Sequence, residues 1–302
     1  MKRALKELYL ILLVALLPFC AMAQSDVDQE ATVTKMNAFV SFLNRAIRAS
    51  DSLDRYDSWV DMKKGPTGKE KVIYGLYAPY DVRNEIQAAI EAAAGEPKLH
   101  DLDAAILRFA AVYEDIAPIL EKASKYYDRS DYKSDKMKEG KVLHSQIAEL
   151  APEFVTARKE ADRILSIEKR RIDLLQLAAL EKAEGKKSRW HVRNVMINAE
   201  AIVDILPSAE RMAVDMSTFN DNLDNYAKAV REFDDYATKH PNSFHVFESA
   251  PGSLLSKLRE FHEVLEKNKG NASKGTDDLQ WIIQEYNMMV TTSETATMFS
   301  SD

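Results

Sequence analysis

The stretch DQEATVTKMNAFVSFLNRAIRASDSLDRYDSWV, residues 28–60, decides the fold. Apolar residues recur in it at Val33, Met36, Val40, Leu43, Ile47, Leu53, Tyr56 and Val60, largely at steps of three and four. That period puts them on one side of a helix, so the stretch predicts an amphipathic helix of about 30 residues. Lys63-Lys64-Gly65-Pro66-Thr67-Gly68 ends it, because neither glycine nor proline continues a helix cheaply. The tyrosine-bearing segment Ile73-Tyr74-Gly75-Leu76-Tyr77-Ala78-Pro79-Tyr80 then reads as an ordered connection.

The same period recurs outward from this stretch. Helices are expected over 81–94, ended by Gly95 and Pro97, over 101–127 with Pro118 inside, and over 135–182 with Pro152 inside. A further long run, 188–238, is interrupted at Pro207, and shorter helices follow over 252–266 and 276–291, with a polar tail after Ser293 expected to fray. Each internal proline removes a backbone hydrogen bond and crowds the preceding turn, so kinks or restarts are expected there. No stretch shows sustained two-residue alternation. The expected fold is all-α, an elongated bundle of long, proline-kinked antiparallel helices. Residues 24–302 read as a single domain with a possible hinge between sub-bundles near 183–188.

Composition agrees with this reading. Only 9 of the 302 residues are glycine and 9 proline, too few for a turn-rich all-β architecture. With 46% apolar and 29% charged residues the chain is neither a disordered tail nor a polytopic membrane protein. The formal charge is −7, with signs interspersed, which speaks against nucleic acid and anionic membrane surfaces as partners.

Residues 1–23 carry Lys2, Arg3 and Lys6, an apolar run from 8 to 17, and the triplet Ala21-Met22-Ala23 before Gln24. This is the pattern of a signal peptide cleaved between Ala23 and Gln24, with an apolar run too short for a membrane span. The expected location is therefore the periplasm. Cys20, the single cysteine, offers lipidation and membrane anchoring as the alternative, but Phe19 precedes it where such signals place a small residue. Cleavage after Ala23 leaves no cysteine, and with it no disulfide, thiol catalysis or zinc–thiolate site. No transmembrane span is expected in the mature chain.

The densest aromatic and polar cluster is Tyr126-Tyr127-Asp128-Arg129-Ser130-Asp131-Tyr132-Lys133-Ser134-Asp135, followed by Gly140-Lys141-Val142-Leu143-His144. Together with Asn37, Asn44 and Tyr56-Asp57-Ser58-Trp59, and with the later Phe219-Asn220, Tyr226, Ser243-Phe244 and Tyr286-Asn287, it resembles the YiiG-like family of uncharacterised exported bacterial proteins. The resemblance covers roughly 33–292 and implies a helical, exported and commonly lipid-anchored protein with no assigned activity.

Two readings of the central cluster stand side by side. In one it is a helix junction, with tyrosine rings buried and Asp131 and Asp135 starting helices. In the other Trp59, Tyr126, Tyr127 and Tyr132 form an aromatic wall, and Asp131, Asp135 and His144 supply polar contacts to a ligand or partner.

The chemistry that a helical bundle can carry is mostly missing. Neither the Glu-x-x-His pair of di-iron bundles nor His-Glu-x-x-His occurs, and no nucleophile elbow, phosphate loop or dinucleotide fingerprint is present. His245 and Glu248 lie one helical turn apart, similar to the short element of imelysin-like periplasmic proteins, and mark a weak candidate metal site. Arg189-Trp190-His191-Val192-Arg193 is a basic-aromatic island that either meets an acidic ligand or begins a helix with its tryptophan buried. The reading that follows is a non-enzymatic, cofactor-free envelope module that binds an unknown envelope protein or small ligand. The alternative is a metal- or haem-handling periplasmic bundle.

Overall fold

The structure, a computed structural model, describes residues 24–207 and 212–299. The signal sequence, Cys20 and Ala23 lie outside the described residues, which begin at Gln24. The described chain is all-α. Its helices are α1 Gln24–Asp57, α2 Arg83–Ala94, α3 His100–Asp128, the single turn α4 Tyr132–Asp135, α5 Lys138–Glu184, α6 Ser188–Val203, α7 Met216–Lys239, α8 Ala250–Lys267 and α9 Thr276–Phe299. Among the described residues the one extended pairing is an isolated antiparallel bridge between Ala213 and Asn271.

The chain packs as two compact units, residues 24–169 and residues 170–299 of the described chain. The division falls within α5. The turn at Gly185 between α5 and α6 lies inside the second unit.

In the first unit α1 packs against α2 and α3. Its apolar stripe, including Val33, Met36, Phe39, Val40, Leu43 and Ala46, is wholly removed from water. Phe42 meets Phe109 of α3 at 5.2 Å between ring centroids, and Phe109 meets Phe154 of α5 at 5.4 Å. Each such side chain contributes about 1.5–3 kcal/mol through burial, so this aromatic column is the main tie among the three helices.

Two buried cations fix backbone here. Lys35 Nζ donates to Gly95 O, Pro97 O and the Asp103 carboxylate, so all three ammonium protons are matched at the α2–α3 connection. Arg158 donates to Leu43 O of α1 at 2.8 Å and pairs with Asp162 at 2.7 Å. Burial pushes the Asp162 carboxyl up and Arg158 opposes it.

The second unit is a four-helix arrangement in which α6 packs on α7 and α9, and α8 on α7 and α9. Its core holds Phe219, Tyr226, Phe233, Phe244, Phe247 and Phe261, with the Tyr226 hydroxyl donating to Pro251 O at 2.9 Å. Asp215 starts α7 by accepting from Ser217 N and Thr218 Oγ1.

Three boundaries differ from the expectation. α3 and α5 continue unbroken across Pro118 and Pro152, so neither helix restarts there. Both prolines are exposed, and buried Ile116, Leu120, Phe154 and Ala157 hold the turns on either side. α9 runs to Phe299 and does not end near 291, because Ala296 is packed into the core.

Candidate functional site

The predicted aromatic cluster forms where the end of α1, the end of α3 and the start of α5 meet. Trp59 lies 5.2 Å from Tyr127 edge-on, Tyr127 is 5.0 Å from Tyr126, and Tyr132 is 6.1 and 6.4 Å from the two. Tyr56 joins Trp59 at 5.4 Å and His144 at 6.0 Å. Edge-to-face pairs at such distances each contribute about 0.5–1.5 kcal/mol beyond area burial. Trp59, Tyr126, Tyr127, Tyr132, Asp135 and His144 are therefore brought together. Asp131 is exposed, and its side chain makes no capping bond at α4.

The cluster is largely closed. Tyr126, Tyr127 and His144 are buried, whereas Trp59 and Tyr132 are half-buried at its edge. The Tyr126 hydroxyl donates to Asp135 Oδ1 at 2.9 Å, and the same carboxylate accepts from Lys138 N and Glu139 N, which starts α5. Those backbone donors, Glu139 first, hold the Asp135 carboxyl below its usual value. Burial pushes Tyr56 up to about 12 against a hydrogen bond from Tyr127, and it raises Tyr126 and Tyr127 further. Burial also lowers His144, whose ring bonds the Met62 backbone and faces Tyr56 Oη at 3.3 Å.

Close approach explains two glycines. A Cβ on Gly140 would stand 2.5 Å from the Met137 sulfur, and one on Gly65, where φ is +76°, would stand 2.7 Å from the His144 ring. Met137, Lys136 and Ser130 take positive φ without being glycine, so the α3–α5 junction is a strained turn held by its buried neighbours.

Beside this cluster the non-helical segment 71–82 runs as a strap along α1, turned at Gly75 where φ is +64°. One stripe of side chains grips its carbonyls. Arg45 donates to Asp81 O, Ser52 to Tyr77 O, Arg55 twice to Tyr74 O, and Trp59 Nε1 to Gly75 O, all between 2.7 and 3.0 Å. Guanidinium groups also stack on its rings, with Arg48 3.8 Å and Arg55 4.5 Å from the Tyr77 centroid, and Arg45 5.5 Å from that of Tyr80. Tyr74 and Tyr80 point outward, 53% and 51% exposed. Sequence reasoning found the ordered connection and missed Arg45, Arg48 and Arg55. The available signal was their common face on α1 next to a tyrosine-bearing segment.

The remaining candidates are less organised. His245 and Glu248 are exposed and line an open groove with Asp234 and Val246. Burial, then Asp235 and Glu248, raises the Asp234 carboxyl. Among the described residues no three His, Cys, Asp or Glu side chains converge as a metal ion requires. The basic-aromatic island begins α6 with Trp190 and His191 buried, and its arginines pair with Glu184 and Asp173. His191 stacks on Tyr236 at 4.5 Å, and Tyr236 on His240 at 4.0 Å.

This is an all-α protein whose most organised surface is a strap pinned to a long helix over a closed aromatic cluster. The chain belongs to the family described as "Protein of unknown function (DUF3829)", which matches residues 30–300. It is 27% identical over 189 residues to the "Uncharacterized protein YiiG" of Escherichia coli (strain K12), covering 61% of this chain and 54% of that protein. The chain thus spans about half the length of that relative. No solved structure matches. No helix among the described residues is long and apolar enough to cross a membrane.

Proposed function

We propose that the protein is a non-enzymatic envelope module that recognises a partner or ligand through the strap of residues 71–82 and the arginine stripe of α1. The observation that carries this reading is that Tyr74 and Tyr80 are half-exposed on a backbone gripped at five carbonyls. Rings held in place before binding lose little freedom on contact, and tyrosine is favoured at the centre of interfaces for that reason. Trp59 and Tyr127 support the strap at Gly75, Trp59 directly through Gly75 O, and Tyr126, Tyr132, Asp135 and His144 pack in the same cluster around them. Asp131 stands exposed at the margin of the cluster.

Export by the 1–23 signal, with cleavage between Ala23 and Gln24 or lipidation at Cys20, belongs to the same proposal. The test replaces Tyr80 by a photo-crosslinking amino acid in the native host, with Val142, 49% exposed on α5, as the control position. Adducts from position 80 and none from 142 are expected. No adduct from either position 80 or position 74 overturns the reading.

A further inference from the structure

We propose that the strap and Arg48 form a seat for a carboxylate-rich peptide segment. This rests on the strap being the recognising face and names the ligand chemistry that the face takes.

The first observation is Arg48 itself. Its guanidinium stacks on Tyr77 at 3.8 Å and reaches toward Tyr80 at 5.7 Å, yet it makes no hydrogen bond or ion pair among the described residues, and its Nε is buried without an acceptor. Its neighbours are committed. Arg45 meets Glu85 at 3.2 Å as well as Asp81 O, and Arg55 spends two donors on Tyr74 O. An unpaired guanidinium flanked by aromatic rings has a planar fork of donors that matches a carboxylate.

The second observation is the strap's donor balance. No backbone N–H from Lys71 to Asp81 has an acceptor among the described residues, whereas the carbonyls of Tyr74, Gly75, Tyr77, Tyr80 and Asp81 already accept side-chain donors. The strap therefore leaves its N–H donors unpaired while about half of its carbonyls are engaged. A peptide can set some of its carbonyls against these donors while one of its acidic side chains reaches Arg48. Arg45 is already paired with Glu85, so the charge left to meet a ligand carboxylate beside Tyr77 is that of Arg48 and Arg55.

The test is fluorescence anisotropy on the full chain with a fluorescein-labelled peptide of six glutamates, a six-glutamine peptide as the neutral control, and polygalacturonate as a competing acidic glycan. The glutamate peptide is expected to bind and to weaken with salt, and Arg48→Gln to reduce affinity about tenfold or more. Arg48→Lys, which keeps the charge and loses the fork, is expected to recover only part of the loss. Tyr80→Ala, at an exposed ring, provides a variant that keeps the fold and is expected to weaken binding several-fold. Equal binding of the glutamine peptide, tighter binding of the glycan, or unchanged affinity in Arg48→Gln or Tyr80→Ala overturns the proposal. Absence of peptide binding while position 80 still crosslinks removes the ligand class and leaves the recognising face standing. Failure of both removes the face as well.

Discussion

The Lys35 ammonium lies 2.9 Å from Asp103 Oδ1, with 3% and 9% of the two side chains exposed. Asp103 also accepts from Leu99 N, and Lys35 also donates to Gly95 O and Pro97 O, so this one pair ties α1 to both ends of the α2–α3 connection.

Removing either partner strands the other charge out of water. Lys35→Met is expected to cost about 3–5 kcal/mol, and Lys35→Met with Asp103→Leu clearly less than Asp103→Leu and Lys35→Met combined. Urea unfolding of the four forms measures the coupling. Additive losses would show that the pair is solvated.

Gly140→Ala drives a methyl group against the Met137 sulfur and toward the Tyr126 ring and Tyr127 hydroxyl. A loss of about 1–3 kcal/mol is expected from overpacking, with a changed near-ultraviolet circular dichroism signal from the tyrosine cluster. An Ala variant as stable as the parent would mean that the junction is loose.

Burial lowers the pKa of both His144 and His191. Glu232 opposes the shift at His191, and His240 adds to it. A histidine whose folded-state pKa lies below its unfolded value of about 6.5 favours the unfolded chain when protonated. Stability is therefore held above about pH 6.5 and falls as the pH drops through the lowered folded-state value, by at most about 1.4 kcal/mol per pH unit for each ring. His191→Phe keeps the stack on Tyr236 without the titration, and its urea midpoint should fall less steeply between pH 7 and 5. Equal slopes in parent and variant would refute this.

Pro118 occupies the interior of a continuous helix at an exposed position. Restoring the missing N–H in Pro118→Ala is expected to stabilise the protein by about 1–3 kcal/mol, the lower figure applying because proline also restricts the unfolded chain. A lower melting temperature would mean that the proline shapes a bend the packing needs.

The helices were legible because the apolar steps of three and four from Val33 to Val60 and from Leu102 to Ala123 report directly which side is buried. The division within α5 was not, since the residues around Lys169 and Arg170 carry no proline, glycine or change of period. The tyrosine cluster was legible as a group, because Tyr126, Tyr127, Tyr132 and Asp135 are close in sequence. Its closure was not, since that depends on Gly65 approaching from another segment and on the positive φ by which Met137 turns toward Gly140. Arg48 shares a face of α1 with Arg45 and Arg55, but its lack of a partner becomes visible only once the partners of those two are known.

The strap is held through its carbonyl oxygens, which every residue type supplies alike. Ser52, Arg55, Trp59 and Arg45, with buried Leu76 and Val82, therefore fix its course without reading the outward side chains, and changes at Val72, Tyr74 or Tyr80 leave the anchorage intact. Divergent members of such a family are free to alter the outward chemistry of this edge while keeping the scaffold that presents it.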